Sequence, residues 1–203
     1  MANQELKIGP WLQEGFNLYK ENFLLLIVVN FLALVLGKIT LGILMGPMLA
    51  GVALVNLMLL DKKEPKPEIG TVFKGFDFFL DSFLLVLACV VVSIAAALLS
   101  MLVFTLPIAI LVLLVISILL HTVAAFALFM IADKKMDFWP AVMAVIGAMR
   151  AALLPLVAMA VVTGILSMVG ALACGIGVVV TFPLYFSVLA VVYRDLLRNP
   201  AAA

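Results

Sequence analysis

The chain contains a single histidine, His121, and this is the side chain best suited to proton chemistry at neutral pH. It stands about ten residues before the end of a long apolar stretch, which is near mid-bilayer if that stretch crosses a membrane. An ionisable group at that depth is a candidate functional site. The other role is a neutral imidazole hydrogen-bonded to a neighbouring helix. Because the apolar stretches contain no Asp or Glu to relay a proton, the sequence favours this structural role.

Asn30, Asn56 and Lys38 are further candidates for ligand contact within the apolar stretches. The two asparagines could bind each other or a ligand. A hydrogen bond between helices, worth about 0.6 kcal/mol on average, is the commoner role of such residues. Lys38 could contact a substrate at the outer face, but a lysine in a short turn more often extends its ammonium group to the lipid headgroups. We favour the second role in both cases.

Pro47 and Pro183 lie within two of the predicted membrane spans. Proline cannot donate a backbone hydrogen bond, so it bends a helix and leaves a carbonyl free. Helices broken in this way mark substrate sites in some transporters. Ordinary kinks are more frequent, and a kink is the favoured interpretation of both prolines.

The sequence lacks the residue patterns of known catalytic and metal sites. It contains no phosphate-binding loop, no zinc-protease motif and no nucleophile and base at a recognisable spacing. Cys89 and Cys174 fall in different apolar stretches and, with one histidine, do not make a set of metal ligands. The sequence therefore predicts a protein that is not an enzyme and holds neither metal nor cofactor. A net charge of +1 gives no support for nucleic-acid binding.

The composition predicts an integral membrane protein. Hydrophobic residues make up 67% of the chain and charged residues 11%, whereas an ordinary soluble domain has about 25% charged residues. Three stretches lack charge apart from Lys38, and each is roughly twice or more the length of about 20 residues that one transmembrane helix needs. Turn-forming glycines and prolines divide the stretches near 37–42, 105–107 and 170–177. We therefore expect an all-α fold of six spans in three hairpins, with the approximate bounds Phe23–Leu36, Leu41–Leu60, Ser82–Phe104, Pro107–Ile131, Ala152–Gly170 and Val178–Tyr193.

Every Lys and Arg except Lys38 lies at the ends of the stretches that face the same side as both termini. Basic residues of short loops stay in the cytoplasm, so both termini are expected to be cytoplasmic. Asp61, Asp133 and Asp195 follow the second span of the three hairpins, and each neighbours a Lys or Arg. They could form a ligand-binding ring where the hairpins converge, but solvated charges that fix the topology are the simpler explanation.

An amphipathic segment precedes each predicted hairpin and is typical of a helix that lies in the membrane interface. The first two segments match at a constant offset, since Gly15-Phe16 and Asn22-Phe23-Leu24-Leu25 correspond to Gly75-Phe76 and Ser82-Phe83-Leu84-Leu85. The third segment, Phe138–Arg150, matches less well. We hypothesise one membrane domain over residues 1–203, built of repeats 8–63, 69–135 and 138–198. The aromatic belts and basic flanks common to membrane proteins would explain part of this pattern without duplication.

Several marks along the chain resemble one family of bacterial membrane proteins. They are the surface helix leading into Asn22-Phe23, the pairs Gly46-Pro47 and Gly75-Phe76, and the run from Gly175-Ile176-Gly177 through Pro183 to Tyr193-Arg194-Asp195. In these marks the chain is similar to the six-span inner-membrane proteins grouped with the membrane domain of glycerophosphoryl diester phosphodiesterase. The resemblance implies a bacterial inner-membrane location. It implies no catalysis, because the active site of the phosphodiesterase lies in a separate soluble domain that this sequence does not contain.

Two functions fit these features. The first is a non-enzymatic membrane protein that interacts with lipid or acts as a membrane scaffold, with copies of itself or another membrane protein as partners, and the amphipathic segments and one-sided charge support it. The second is a small-solute or ion transporter or channel subunit, which the prolines in the second and sixth spans support. The lack of acidic residues in the spans argues against ion coupling and favours the first function.

Overall fold

A computed structural model describes residues 7–172 and 176–198 of the chain. Helix is the only regular secondary structure within these two ranges, which confirms the predicted all-α class. The elements, in chain order, are α1 (Ile8–Glu21), α2 (Phe23–Ile39), α3 (Met45–Leu60), a 3₁₀ helix (Ile69–Phe78), α4 (Phe79–Val103), α5 (Leu106–Lys134), α6 (Phe138–Leu172), α7 (Ile176–Tyr193) and a π-helical turn (Arg194–Arg198).

Three helical segments are long and apolar enough to cross a membrane, namely Ile69–Val103, Leu106–Lys134 and Gly177–Arg198. Two sharply bent pairs, α1 with α2 and the two parts of α6, raise the number to five if each pair makes one span. The apolar helix α3 is shorter, with 16 residues. The chain is therefore a membrane-embedded helical protein, and the count of six spans stays a prediction.

The bend between α1 and α2 separates an amphipathic helix from an apolar one. The two helices meet at 91°. Asn22 stands at the junction, and its side-chain amide donates to the Leu18 carbonyl at 3.0 Å. Such a local bond competes with continued backbone hydrogen bonding in a helix. The apolar helix consequently begins at Phe23, where the sequence predicts it.

A second bend, of 110°, lies inside α6 between Phe138–Arg150 and Ala152–Ile165. Ala152 has non-helical backbone angles, φ −134° and ψ 38°. Pro155 follows within the same turn, and a proline can neither bond the carbonyl four residues earlier nor fit against it without strain. The amphipathic and apolar parts of α6 therefore separate at the boundary predicted from the sequence.

The second amphipathic segment behaves differently. Ile69–Phe78 forms a 3₁₀ helix that continues into α4, and the two together make one long apolar helical segment. The side chains of Glu68 and Thr71 cap its first turn reciprocally. A separate interfacial helix was expected here, and the structure has instead a continuous helix.

The first predicted turn lies later in the chain than expected. The helix α2 continues to Ile39, and α3 begins only at Met45. Between them Leu41 and Gly42 have positive φ angles of 53° and 91°. Pro47 consequently lies in the first turn of α3, where the missing N–H costs no helical hydrogen bond. The predicted bend at Pro47 was therefore wrong.

The helices pack in a repeating order. α3, α5 and α7 contact one another, and each also contacts the helix before it, α2, α4 or α6. Two amphipathic segments pack on the last helix of another group, since α1 packs on α7 and the 3₁₀ helix packs on α3. The helix α6 as a whole packs on α5 and α7.

α1 packs lengthwise against α7. The Trp11 indole donates to the Asp195 carboxylate at 3.0 Å, and the Tyr19 hydroxyl donates to the Val180 carbonyl at 2.9 Å. Both ring side chains are buried. These two residues of the amphipathic segment therefore face protein, whereas Phe16 is exposed.

The 3₁₀ helix and α3 approach each other backbone to backbone. A Cβ atom at Gly51 would overlap the Val72 carbonyl oxygen, and one at Gly75 would overlap the Pro47 carbonyl oxygen. Glycine is the one residue without a Cβ. These positions therefore admit no side chain unless the two elements separate.

Candidate functional site

A cavity of about 800 Å³ opens between α4, α5, α6 and α7. Gly164 forms part of its wall, and a Cβ built on this residue would meet no atom of the described residues within 4 Å. The volume falls in the range of about 300–1,000 Å³ that is usual for small-molecule sites. Most of the walls are apolar, and they include Leu114, Ile118, Leu120, Ala160, Val161, Ile165 and Phe182.

One hydrogen-bonded pair stands among these apolar walls. His121 of α5 and Tyr185 of α7 form a hydrogen bond, with 2.8 Å between the imidazole Nε2 and the phenol oxygen. Tyr185 is 4% exposed, and its ring stacks on Phe182 with 5.8 Å between centroids. His121 is exposed and lines the cavity. The tyrosine thus holds the imidazole in place, and the tautomer of the imidazole decides which of the two groups donates.

The remaining polar lining comes from uncharged groups. The Ser93 hydroxyl donates to the Cys89 carbonyl of the same helix at 2.7 Å, so a ligand meets it as a hydrogen-bond acceptor. Ser117 also lines the cavity, and no Asp, Glu, Lys or Arg does so among the described residues. The same part of the chain contains no cluster of three His, Cys, Asp or Glu side chains able to hold a metal ion. The cavity is suited to an apolar molecule that carries a few uncharged polar atoms.

The two candidate asparagines lie away from this cavity. The Asn56 amide donates to the Val52 carbonyl at 2.9 Å, and its Oδ1 lies 2.9 Å from the Ser187 hydroxyl of α7. Asn56 therefore has the hydrogen bond between helices that the sequence favours. Asn30 donates to the Leu26 carbonyl at 2.7 Å, and its buried Oδ1 has no partner within the described chain.

The other candidates also lie outside the cavity wall. Lys38 is exposed in the last turn of α2, and Pro47 is buried in α3. Pro183 lies inside α7, and its carbonyl is 3.1 Å from the Ser187 hydroxyl. His121 is the one residue of the predicted set that lines the cavity. The turn predicted around Cys174 lies outside the described residues.

Tyr185 is central to the cavity and was missed from the sequence. A tyrosine in an apolar span needs a hydrogen-bond partner for its hydroxyl, and His121 is the one imidazole of the chain. These two facts could have suggested the pair. Pairing them with assurance requires knowing that α5 and α7 are neighbours, which depends on tertiary packing.

At the charged end of the molecule, Arg198 joins the ends of α3 and α5. Its Nη1 lies 2.8 Å from both carboxylate oxygens of Asp61, and its Nε lies 3.1 Å from Asp133. The Tyr193 hydroxyl donates to Asp133 at 3.0 Å. The Asp133 side chain is only 10% exposed, so these partners replace most of its contact with solvent.

Arg194 makes a second group of bonds at the same end. Its guanidinium donates to the two carboxylate oxygens of Glu14 at 2.7 and 2.9 Å and to Asp195 at 2.9 Å. The three aspartates that end the predicted hairpins are thus bonded to arginines of the chain itself. They are neither freely solvated flanking charges nor a vacant ring for a ligand.

Comparisons with protein-family models, with curated proteins and with solved structures found no match to this chain. The resemblance to the phosphodiesterase membrane-domain family stays a prediction. The function therefore rests on the geometry of the cavity and on the charge distribution.

Proposed function

We propose that the protein is a non-enzymatic membrane protein that binds lipid in the cavity between α4, α5, α6 and α7. The observation that carries this proposal is the volume of about 800 Å³, with apolar walls around the single His121–Tyr185 pair. An acyl chain is chemically matched to the walls. An ester oxygen of the same molecule can accept a hydrogen bond from the His121–Tyr185 pair, and a hydroxyl group can accept or donate one.

We also propose that the chain crosses a bacterial inner membrane six times, through α2, α3, α4, α5, the second part of α6 and α7. Both termini are then cytoplasmic, in accord with the distribution of Lys and Arg. Arg198 binds the ends of α3 and α5 from the end of α7, which supports a common side for these three ends. α2 has 17 residues and rises about 25 Å, so it requires a locally thin bilayer.

The packing order supports the three proposed repeats. The amphipathic segment of the second repeat, the 3₁₀ helix, packs on α3, the last helix of the first repeat, and that of the first repeat packs on α7, the last helix of the third. A duplicated unit that keeps one interface with its neighbour produces this order. The sequence offset between Gly15-Phe16 and Gly75-Phe76 fits the same origin.

The lipid-binding proposal is tested through the glycine in the cavity wall. Gly164→Leu fills the cavity, because its side chain meets open space. Gly147→Leu is the matched control, since Gly147 lies in the same helix with equally open space but does not line the cavity. The purified proteins are reconstituted with a phospholipid that carries a diazirine on its acyl chain, irradiated and mapped by mass spectrometry.

We expect crosslinks on the cavity walls of α4, α5 and α7 in the wild type. Gly164→Leu should reduce them several-fold, and Gly147→Leu should leave them unchanged. Equal labelling of the three proteins would contradict lipid binding in this cavity. Solute flux across proteoliposomes that His121→Ala abolishes would favour the transporter function instead.

The six-span topology is tested by cysteine accessibility in a variant that lacks Cys89 and Cys174. Single cysteines are placed at Gly42, between α2 and α3, and at Thr105, between α4 and α5. Six spans require an impermeant thiol reagent to label both positions from the outer face. Labelling of residue 42 from the cytoplasmic face alone would show that α2 and α3 do not cross.

A further inference from the structure

A second cavity, of about 380 Å³, lies at the charged end of the molecule between α1 and the loop that follows α3. It is lined from α1 by Glu14 and Glu21 and from the loop by Lys62, Lys63, Glu64 and Lys66. None of these residues lines the cavity between α4 and α7. The second cavity is therefore a separate site of strongly polar character.

Some of its charge is already neutralised within the chain. Glu14 is bonded through both carboxylate oxygens to Arg194. Lys63 lies 3.8 Å from Asp61. These two residues shape the cavity, and their charges are balanced without a ligand.

The other charged groups face the cavity without such partners. Lys62, Lys66 and Glu64 on the loop wall and Glu21 on the α1 wall make no ion pair within residues 7–172 and 176–198, and all four are exposed. An ammonium group binds phosphate, and a carboxylate binds ammonium. A ligand of one sign is attracted by one set of these groups and repelled by the other, whereas a ligand that carries both charges pairs with both sets.

The backbone of Lys62 adds a second observation. Its φ is 50°, in the left-handed region, directly after the last residue that caps α3. Glycine is favoured at this position because it has no Cβ. A lysine here accepts backbone strain and supplies an ammonium group to the cavity wall. Lys135, after α5, has the same conformation with φ 51° but does not line the cavity.

We infer that this cavity binds a phosphate joined to an ammonium group, the zwitterion of an aminophospholipid headgroup. The phosphate lies against Lys62 and Lys66, and the ammonium group lies against Glu21. Leu18 and Met58 give the cavity an apolar edge, which suits the glycerol end of a lipid. Free phosphoethanolamine offers the same chemistry. The inference goes beyond the proposed function and does not depend on the cavity between α4 and α7.

The test is native mass spectrometry of the purified full chain in detergent. It is mixed with equimolar phosphatidylethanolamine, phosphatidylglycerol and phosphatidylcholine of identical acyl chains. We expect several-fold preferential retention of phosphatidylethanolamine, which Lys62→Gly and Glu21→Gln each abolish. Lys62→Gly relaxes the backbone, so loss of binding in a thermally stable variant cannot be ascribed to unfolding. Lys135→Gly relaxes the corresponding turn after α5 and is the matched control, with retention unchanged.

A thermal-shift titration with free phosphoethanolamine distinguishes the two sources of the zwitterion. Stabilisation of the wild type, but not of Lys62→Gly, without lipid enrichment would assign the site to the soluble compound. Best retention of phosphatidylglycerol, with no effect of Glu21→Gln, would overturn the inference. Equal retention of all three lipids together with no thermal shift would overturn it as well.

Discussion

The two sides of α4 are packed in opposite ways. Toward α3, the bare backbone of Gly46 meets the Ser82 carbonyl at the start of α4 so closely that a Cβ would overlap it. Toward α6, Gly164 borders a cavity of about 800 Å³, and a Cβ built there would meet no described atom within 4 Å. A glycine therefore permits close helix contact without causing it, and the shape of the neighbouring helix decides between contact and cavity.

This difference gives the molecule a closed side and an open side. On the closed side, backbone contacts of the 3₁₀ helix with α3 fix the position from which α4 starts. On the open side, α4 and α5 leave volume beside the His121–Tyr185 pair. A binding site needs both features, since fixed walls position polar groups and free volume admits the ligand.

Gly51→Ala should break the closed side and gives the largest expected effect. The added methyl group meets the Val72 carbonyl, which is backbone and cannot rotate away. We expect a loss of about 3 kcal/mol in the free energy of unfolding, at the upper end of typical overpacking costs. Thermal unfolding in detergent, followed by circular dichroism, measures it.

Gly70→Ala is the control for that variant. Gly70 lies in the same 3₁₀ helix, and a Cβ there meets no atom within 4 Å. Its melting temperature should stay close to that of the wild type. If Gly51→Ala unfolds at the same temperature as Gly70→Ala, the backbone contact with α3 is not present in the protein.

Arg198→Gln should loosen the charged end, where Arg198 joins the ends of α3 and α5. It leaves Asp61 and Asp133 without their arginine, and the Asp133 side chain is only 10% exposed. Removing one partner of a buried pair costs about 3–5 kcal/mol, and Arg198 is 25% exposed, so we expect about 2 kcal/mol after allowance for solvent screening. Arg150→Gln, at an exposed arginine of α6, should unfold as the wild type does. Equal stability of both variants would show that the Arg198 bonds contribute nothing.

Gly164→Ala should have the opposite sign to Gly51→Ala. Its methyl group enters open space in the middle of a helix. Replacing glycine by alanine at an unstrained helical position stabilises by about 0.5–1 kcal/mol. The same thermal unfolding assay should show a raised melting temperature. A lowered one would mean that the space beside Gly164 is filled and that the cavity is closed at this point.

The sequence predicts well those features that depend on local chemistry. The helix ends at Leu60 and Tyr193 and the helix starts at Phe23 and Ala152 follow from where charge, proline or asparagine stops an apolar run. The displaced start of α3 after Gly42 was not predicted, because any of several glycines in that stretch could form the turn.

Features that depend on which helices become neighbours could not be predicted in the same way. Gly51 and Gly75 look like ordinary small residues until α3 is known to lie on the 3₁₀ helix. Tyr185 gains its role only from the proximity of His121, 64 positions earlier in the chain. Local periodicity carries no information about such pairs.

Tyr185→Phe gives the smallest expected change in stability and the most specific one in binding. It removes the hydroxyl bonded to His121 and keeps the ring stacked on Phe182. A hydrogen bond between membrane helices contributes about 0.6 kcal/mol, so thermal unfolding should change by about that amount. Labelling of the cavity by the diazirine lipid should fall, because the imidazole loses the group that positions it.

Ser187→Ala is the matched control, because it removes a hydrogen bond between α7 and α3. Ser187 lies in α7 like Tyr185 and donates to Asn56, but it does not line the cavity. We expect a similar small change in stability, again about 0.6 kcal/mol, with lipid labelling unchanged. If the two variants reduce labelling equally, the His121–Tyr185 pair contributes only to packing, and the polar group of the ligand is bound elsewhere.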